Sequence, residues 1–371
     1  MQFGLVGSEM CIRDRPTAHS SLKSSAECNQ VLRRTVVALA LLALLAVTVL
    51  VSSARNELHN PLNLDAAPGI FEVQQGDGLI RVLNTLQSEG VIDSALKIRV
   101  GLRLSGMNLV VKRGEYQLFA GETVLQLLDR MDRNDVILYP ITIPEGVTFS
   151  WFLSTLWEHP EVTRVLENVH DERLLNVIQP HASPEGLFLP ETYLIQSGDT
   201  DLDVLIRARA AMQDALMGAW SARTKNLPLT EPYEALVLAS IVEKETGVAS
   251  ERPEIAGVFV RRLALGMRLQ TDPTVIYGLG AKFDGNLTRR HLRDDNNPFN
   301  TYRIAGLPPT PIALPGKEAI VASLNPKDGE ALYFVAKGDG SHAFSRTLSE
   351  HEENVRRYQL KRRKDYRSSP K

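Results

Sequence analysis

The stretch Leu238–Gly247, "LASIVEKETG", decides how the rest of the chain is read. A run of apolar residues ends in two carboxylates, Glu243 and Glu245, with Lys244 between them. Upstream lie the signals of a helix start: Thr230 as a cap, Pro232 in the first turn, and Glu231 and Glu234 at the positive end of the dipole. Gly247 is placed to close the helix. Side chains three, four and seven residues apart share a helix face. Glu245 therefore lines up with Leu238, Ile241 and Val242, and Glu243 with Leu236, Ala239 and Ser240. If the bulkier stripe faces the core, Glu245 is the acid pushed toward low dielectric, where burial keeps a proton on it near neutrality. Glu243 would then be solvated or paired with Lys244 or Arg262. A proton held in this way suits protonation of a glycosidic oxygen. On spacing alone, however, a helix end reading E-K-E is first of all a wet surface. The neighbourhood has to decide.

The chain of 371 residues has room for one membrane segment and one or two compact domains. Its net charge of −2 argues against a nucleic-acid binder, which needs a basic excess. The 2 cysteines, Cys11 and Cys28, both precede the most apolar segment, so no disulfide framework, cysteine nucleophile or thiolate metal site is available downstream. The 8 histidines show no H-E-x-x-H spacing, and no metal or organic cofactor is expected. The opening "LVGSEMCIRDR" resembles a translated sequencing-adapter fragment, so the natural start is expected further along and no function is read from these residues.

No charged residue occurs from Thr35 to Ala54. That length, about 20 residues, spans a hydrocarbon core of about 30 Å. Lys23, Arg33 and Arg34 lie before it and only Arg55 among nearby basic residues lies after it, which predicts a cytoplasmic N-terminus and an exported remainder. The competing reading is a cleaved signal peptide with "SSA" as its site, but the apolar run is long for one and an uncleaved inner-membrane anchor is expected. "NELHNPLNLDAAPG", with Pro61, Pro68 and Gly69, reads as a linker.

A weak internal repeat follows. "FEVQQGDGLIRVLNTL", "EYQLFAGETVLQLLDRM" and "ITIPEGVTFSWFLSTL" each run an extended piece, a glycine and a helix. Aligning Gly76, Gly121 and Gly146 brings Leu79, Val124 and Phe149 into register. The same holds for Val82, Leu127 and Phe152, for Leu83, Leu128 and Leu153, and for Leu86, Met131 and Leu156. These offsets form one helical face. The first copy looks like the opening of a LysM module, a fold associated with N-acetylglucosamine polymers, although glycine before an amphipathic helix is also a common generic turn.

Six words in order, "EGLFLPETY", "LASIVEKET", "RLALGMRLQTDPTVIYG", "NTYRIAGLPP", "PGKEAIVASLNP" and "LYFVAKGDGSHAFS", carry a more specific likeness. From about Gly69 to its end the chain resembles the MltG (YceG-like) endolytic murein transglycosylases. Thr310 stands where that family often has glycine, and Ser341 where it has glycine or threonine. The resemblance implies cleavage of the bond between N-acetylmuramic acid and N-acetylglucosamine in peptidoglycan without water, giving 1,6-anhydro ends. It also implies a single glutamate that acts first as acid and then as base. "SIVEKET" is similar to the A-R-Q-E-S helix of lysozyme-like transglycosylases, and that match places Glu245 at the catalytic position.

"LQTDPTVIYG" offers Gln270, Thr271, Asp272 and Tyr277 as substrate contacts. Asp272 before Pro273 also has the form of a helix cap, and Tyr277 could equally be core. Asn300, Thr301 and Tyr302 lie in a segment punctuated by proline and glycine, and a groove role is expected for Asn300 and Tyr302. His342, after a glycine turn, is read as a satisfied turn residue. Glu185 and Glu191 are further acids that could approach the groove, and a second catalytic carboxylate would make a hydrolase instead.

The expected class is α+β. The layout is a cytoplasmic tail (1–34), a transmembrane helix (35–54), a linker (55–68), a LysM-like domain (69–157) and a mixed α/β catalytic domain (158–371). The expected partners are nascent glycan strands, the inner membrane and peptidoglycan synthases, and the expected role is termination of strand elongation. A non-catalytic wall-binding scaffold is the other open reading.

Overall fold

The computed structural model describes residues 21–64 and 69–360, with side chains from residue 29 onward. The adapter-like opening with Cys11, residues 65–68 and the basic tail from Lys361 lie outside the described residues. The chain divides into two compact units after Val136.

The first unit begins with α1 (Ser21–Leu58), followed by β1 (Ile70–Val73), α2 (Leu79–Ser88), α3 (Ala95–Leu104), β2 (Gly114–Gln117) and α4 (Val124–Arg133). Among the described residues α1 is the one helix long and apolar enough to cross a membrane, over Asn29–Leu58. Its large aliphatic side chains from Val31 to Leu50 are exposed. The helix does not stop at Ala54, so the expected linker needs correcting. No proline or glycine interrupts "RNEL", and Ala54, Glu57 and Leu58 are buried because they find a partner in α3. A Cβ at Gly101 of α3 would lie 2.4 Å from the Ala54 carbonyl oxygen, so the two backbones touch where only glycine fits. Lys97 closes the contact with its Nζ 3.5 Å from the Glu57 carboxylate. Beyond the helix, the Leu62 amide donates to the Glu122 carbonyl at 2.8 Å and the Asn63 amide to that of Val91 at 2.9 Å. Residues 55–64 are therefore packed protein, not a spacer.

β1 and β2 pair antiparallel, with Phe71 opposite Tyr116. The Tyr116 ring is fully buried and its hydroxyl donates to the Lys112 carbonyl at 2.8 Å; burial pushes it up to about 12. All three repeat glycines take the left-handed conformation, with φ of 88°, 79° and 75° at Gly76, Gly121 and Gly146, where a side chain would be strained. The aligned face after each is buried, apart from the half-buried Leu79.

The third copy does not join the first two. Its strand β3 (Tyr139–Thr142) pairs antiparallel with β5 (Thr192–Ile195), and its helix α5 (Phe149–Glu158) buries Phe149, Phe152, Leu153 and Leu156 in the core of the second unit. The expected boundary after residue 157 is thus displaced to Val136, because the strand partner of the third copy lies downstream in sequence. The second unit continues with β4 (Val162–Thr163), α6 (Glu172–Ile178), β6 (Asp199–Thr200), α7 (Asp201–Ser221), α8 (Pro232–Glu245), α9 (Arg252–Ala264), α10 (Asp272–Leu279), α11 (Arg289–Leu292), α12 (Lys317–Leu324), β7 (Tyr333–Ala336), β8 (His342–Ser345) and α13 (Leu348–Val355). Its strands pair only in twos: β3–β5 and β7–β8 antiparallel, β4–β6 parallel. The α+β description stands, with helices making the core.

At that core lies α8, packed by α7, α9, α10 and α12. Every residue from Ala235 to Val242 is buried. The helix starts one residue later than the cap reading implied: Glu231 holds the cap position without a side-chain bond, and the Thr230 hydroxyl donates instead to the Glu234 carboxylate at 2.9 Å. Glu245 is its last residue and Thr246 is already extended.

The α1–α3 contact yields a direct test. Gly101→Val should cost about 1–3 kcal/mol of stability through overpacking. It should therefore lower the urea midpoint of the full chain in detergent, while Gly78→Val, where an added Cβ meets nothing within 4 Å and the backbone is extended, should leave it nearly unchanged.

Candidate active site

Burial of α8 on all sides removes the distinction first drawn between its two faces. Glu243 is not a solvated acid; its side chain is only 6% exposed. It lies 3.4 Å from the Arg252 guanidinium and accepts a 3.0 Å bond from the Gly316 amide. Lys244 points elsewhere, donating to the Gly146 carbonyl at 3.0 Å, and Arg262 is committed to other partners. What separates the two glutamates is neutralisation, since Glu243 is held by a cation and an amide.

Glu245 keeps some solvent contact, yet protein surrounds its carboxyl group closely. Burial, the largest influence, pushes it up to about 7; the Thr271 hydroxyl pulls it down, the Asp272 charge raises it, and the Arg262 charge lowers it. The Thr271 hydroxyl donates to Glu245 Oε1. Thr271 sits at the cap position of α10, where a threonine ordinarily caps its own helix; here no side-chain cap bond forms and the hydroxyl serves the glutamate. Asp272, the residue read as a possible cap, is instead the first residue of α10 and accepts from the Tyr302 hydroxyl at 2.7 Å.

A buried hydroxyl cluster fixes Thr271. Its amide donates to Thr301 Oγ1 at 3.0 Å, the Thr274 hydroxyl donates to the Thr271 carbonyl at 2.8 Å, and the Thr274 and Thr301 oxygens are 2.9 Å apart. Thr271, Thr274 and Thr301 are all buried. The preceding turn needs Gln270 at φ 53°, a left-handed conformation uncommon for a residue with a side chain. Its amide reaches the Thr301 carbonyl at 3.2 Å and its side chain is exposed. Arg262 is a buried cation held by carbonyls, donating to Leu332 and Leu269 at 2.7 Å each. Its guanidinium lies 5.1 Å from the Tyr333 ring centre.

Thr271, Asp272 and Tyr302 therefore gather about Glu245, with Gln270 alongside. Asn300 does not take the expected groove role. It is fully buried, and its amide donates to the carbonyls of His291, Leu292 and Asp294 at 3.2, 3.3 and 2.8 Å. Those bonds use it to shape the loop that carries Thr301 and Tyr302. Tyr277 is likewise engaged, with its hydroxyl donating to Glu185 at 3.1 Å and its ring 4.9 Å from that of Phe299. Glu185 also accepts from the Phe149 amide at 2.9 Å, and burial pushes it up to about 7. Thr274 was missed from sequence; its spacing of three from Thr271, on one helix face, was the available signal. His342 is not the turn residue expected: it opens β8 opposite Ala336, and it is buried with its ring nitrogen 2.7 Å from the Glu251 carboxylate. Among the described residues no group of three or more His, Cys, Asp or Glu gathers as metal ligands.

A carboxyl group raised toward neutrality by burial, at the end of a buried helix and beside a hydroxyl donor, has the properties that general acid–base chemistry requires. The YceG-like family model matches residues 71–357, and the chain belongs to that family. It is similar to an endolytic murein transglycosylase of Bacillus subtilis (strain 168), 26% identical over 320 residues, covering 81% of this chain and 88% of that protein. An endolytic murein transglycosylase of Streptococcus pneumoniae serotype 2 is 27% identical over 317 residues, covering 76% of this chain but 57% of the longer relative. A crystal structure of a yceG-like protein from Listeria monocytogenes matches 76% of this chain and 98% of its own, at 27% identity and a TM-score of 0.44.

Two outcomes are expected. Removing the donor in Thr271→Val should raise the Glu245 pKa further above about 7, because the lost bond favoured the carboxylate. Carbon-13 titration of that carboxyl checks the shift. Glu185 and Glu245 both have folded values near 7 against an unfolded 4.5, so the folded state holds the extra protons. Their stabilisation is complete below about pH 4.5 and is lost as pH rises through 7. Urea unfolding at a series of pH values should show that decline, and Glu185→Gln should flatten it.

Proposed function

We propose that the protein is an endolytic lytic transglycosylase of peptidoglycan, with Glu245 as its acid and base. The observation that carries this reading is the carboxyl of Glu245, raised to about 7 at the end of a helix whose other glutamate is neutralised. Membership of the YceG-like family and the names of the relatives support the substrate and the reaction class.

Glu245 donates its proton to the oxygen leaving the muramyl C1, and the C1–O bond breaks with the electron pair on that oxygen. The resulting carboxylate then takes the proton of the muramyl C6 hydroxyl as O6 closes on C1. A 1,6-anhydro ring forms, no water is consumed, and Glu245 ends in its starting protonation state. One acid changing role needs a pKa near the working pH and a sugar hydroxyl held in place. Thr271 orients the carboxyl, and the exposed Gln270 and the Asp272–Tyr302 pair are the groups available to the sugar.

The first unit fits a LysM-like glycan-binding role, with two paired strands enclosing two helices after the Gly76 turn. The apolar helix α1 fits a single-pass anchor with a cytoplasmic N-terminus and an exported catalytic unit. An enzyme so placed acts on nascent strands near the bilayer, in company with synthases, and terminates their elongation.

A hydrolase is the rival, favoured by the charge of Asp272 reaching Glu245. Glu191, the other named candidate, is ion-paired with Lys317 at 2.8 Å. Digestion of uncrosslinked glycan followed by mass spectrometry separates the readings. Anhydro ends, lighter by one water than hydrolysed ends, are expected from the wild type. Glu245→Gln should lose at least about 10²–10⁴-fold in rate. Glu243→Gln should retain the chemistry while losing stability. Activity surviving in Glu245→Gln would remove the assignment, and no release by the wild type would leave a wall-binding scaffold.

A further inference from the structure

We infer that the C-terminal end of α3 and the loop after it form a second membrane contact of the first unit, resting on the anionic lipid headgroups of the bilayer that α1 spans. This rests on α1 being an anchor.

The direction of α3 carries the argument. Lys97 meets Glu57, and one turn later Gly101 meets Ala54, so α3 runs back along α1 toward its apolar stretch. At 1.5 Å rise per residue, about one further turn brings Leu104 level with the last exposed aliphatic residues of α1, around Leu50. There the surface turns apolar. Leu104 is 44% exposed, Met107 41% and Val110 59%. Leu104 ends α3, and Met107 and Val110 follow in the loop after it, which the Val110 amide fixes to the unit by donating to Asp132 at 2.8 Å.

Apart from Asp132, whose carboxylate accepts from the Val110 amide, and Glu57, which is paired with Lys97, the charge that this segment brings is basic. From Ala95 to Arg113 the sequence holds five basic residues (Lys97, Arg99, Arg103, Lys112 and Arg113) and no acidic one, in a protein of net charge −2. Arg99, Arg103 and Lys112 are exposed. Apolar side chains ringed by lysine and arginine make an interfacial membrane surface: the former enter the headgroup boundary and the latter meet lipid phosphate. Continuity with the apolar length of α1 selects the bilayer, rather than a protein, as the occupant.

The test uses the full chain with Cys11→Ser and Cys28→Ser, reconstituted in vesicles of phosphatidylethanolamine and phosphatidylglycerol that carry nitroxide-labelled lipid. An environment-sensitive fluorophore is placed in turn through Met107→Cys, Leu44→Cys in α1, and Asn84→Cys on the exposed face of α2. Blue-shifted, quenched emission is expected at 107 and at 44, and water-like emission at 84. Charge reversal by Arg99→Glu, Arg103→Glu and Lys112→Glu should reduce quenching at 107 and leave 44 unchanged, since each basic side chain is worth roughly five-fold in local partitioning. Quenching at 44 with water-like emission at 107 would overturn the inference and leave the patch to a protein partner. Water-like emission at both positions would remove the anchor itself, and this surface with it.

Discussion

The bond from Thr271 to Glu245 is the constraint on which the site depends. Burial raises the pKa of this carboxyl, and the hydroxyl stabilises the ionised form and moderates the shift. Both conditions are needed by a group that must give up a proton and recover one. The hydroxyl can serve Glu245 because α10 forgoes its own side-chain cap, and because Thr274 and Thr301 hold the Thr271 backbone from behind. The left-handed Gln270 delivers the chain into that position. A conformational cost at one residue is thus located beside the chemistry, where such costs are commonly found.

The contrast with Glu243 shows how a buried helix can present two acids with different properties. Both lie in the last turn of α8, and both are removed from bulk water to a large degree. Glu243 has Arg252 and the Gly316 amide, so its charge is compensated and structural. The cation whose charge influences Glu245 is Arg262, and its own hydrogen bonds go to backbone carbonyls. Breaking a compensated buried pair leaves a lone charge in low dielectric, which accounts for the structural weight assigned to Glu243. Glu185 is a further buried acid, joining the start of α5 to Tyr277 of α10. It ties the third strand–turn–helix copy to the helix that carries Thr271.

In the first unit, the apolar helix and the folded domain are one packed body. Ala54 and Leu58 are at once the end of α1 and part of the domain core. A flexible tether would let the domain tumble, whereas the close α1–α3 contact at Gly101 fixes the domain on the helix. The direction of α3 relative to the apolar stretch is a consequence of that contact.

Local patterns determined much of this protein. Charge-free length marked α1, and the aligned glycines with their apolar offsets identified buried faces of α2, α4 and α5, because turn chemistry and helical period are properties of neighbouring residues. The motif words around "SIVEKET" singled out Glu245 by resemblance, and the segments downstream offered Thr271, Asp272 and Tyr302 among six substrate contacts. Tertiary structure alone decided the rest. Which unit the third copy joins depended on a strand 50 residues downstream, Thr142 pairing with Thr192. Whether α1 ended in a linker depended on a glycine in another helix. The roles of Asn300 and Tyr277 depended on carbonyls and a carboxylate brought to them by folding. The two glutamates could not be told apart by helix face, since α8 is buried all round. They differ because Arg252 reaches one and Thr271 the other, and sequence spacing does not encode contacts made between distant segments.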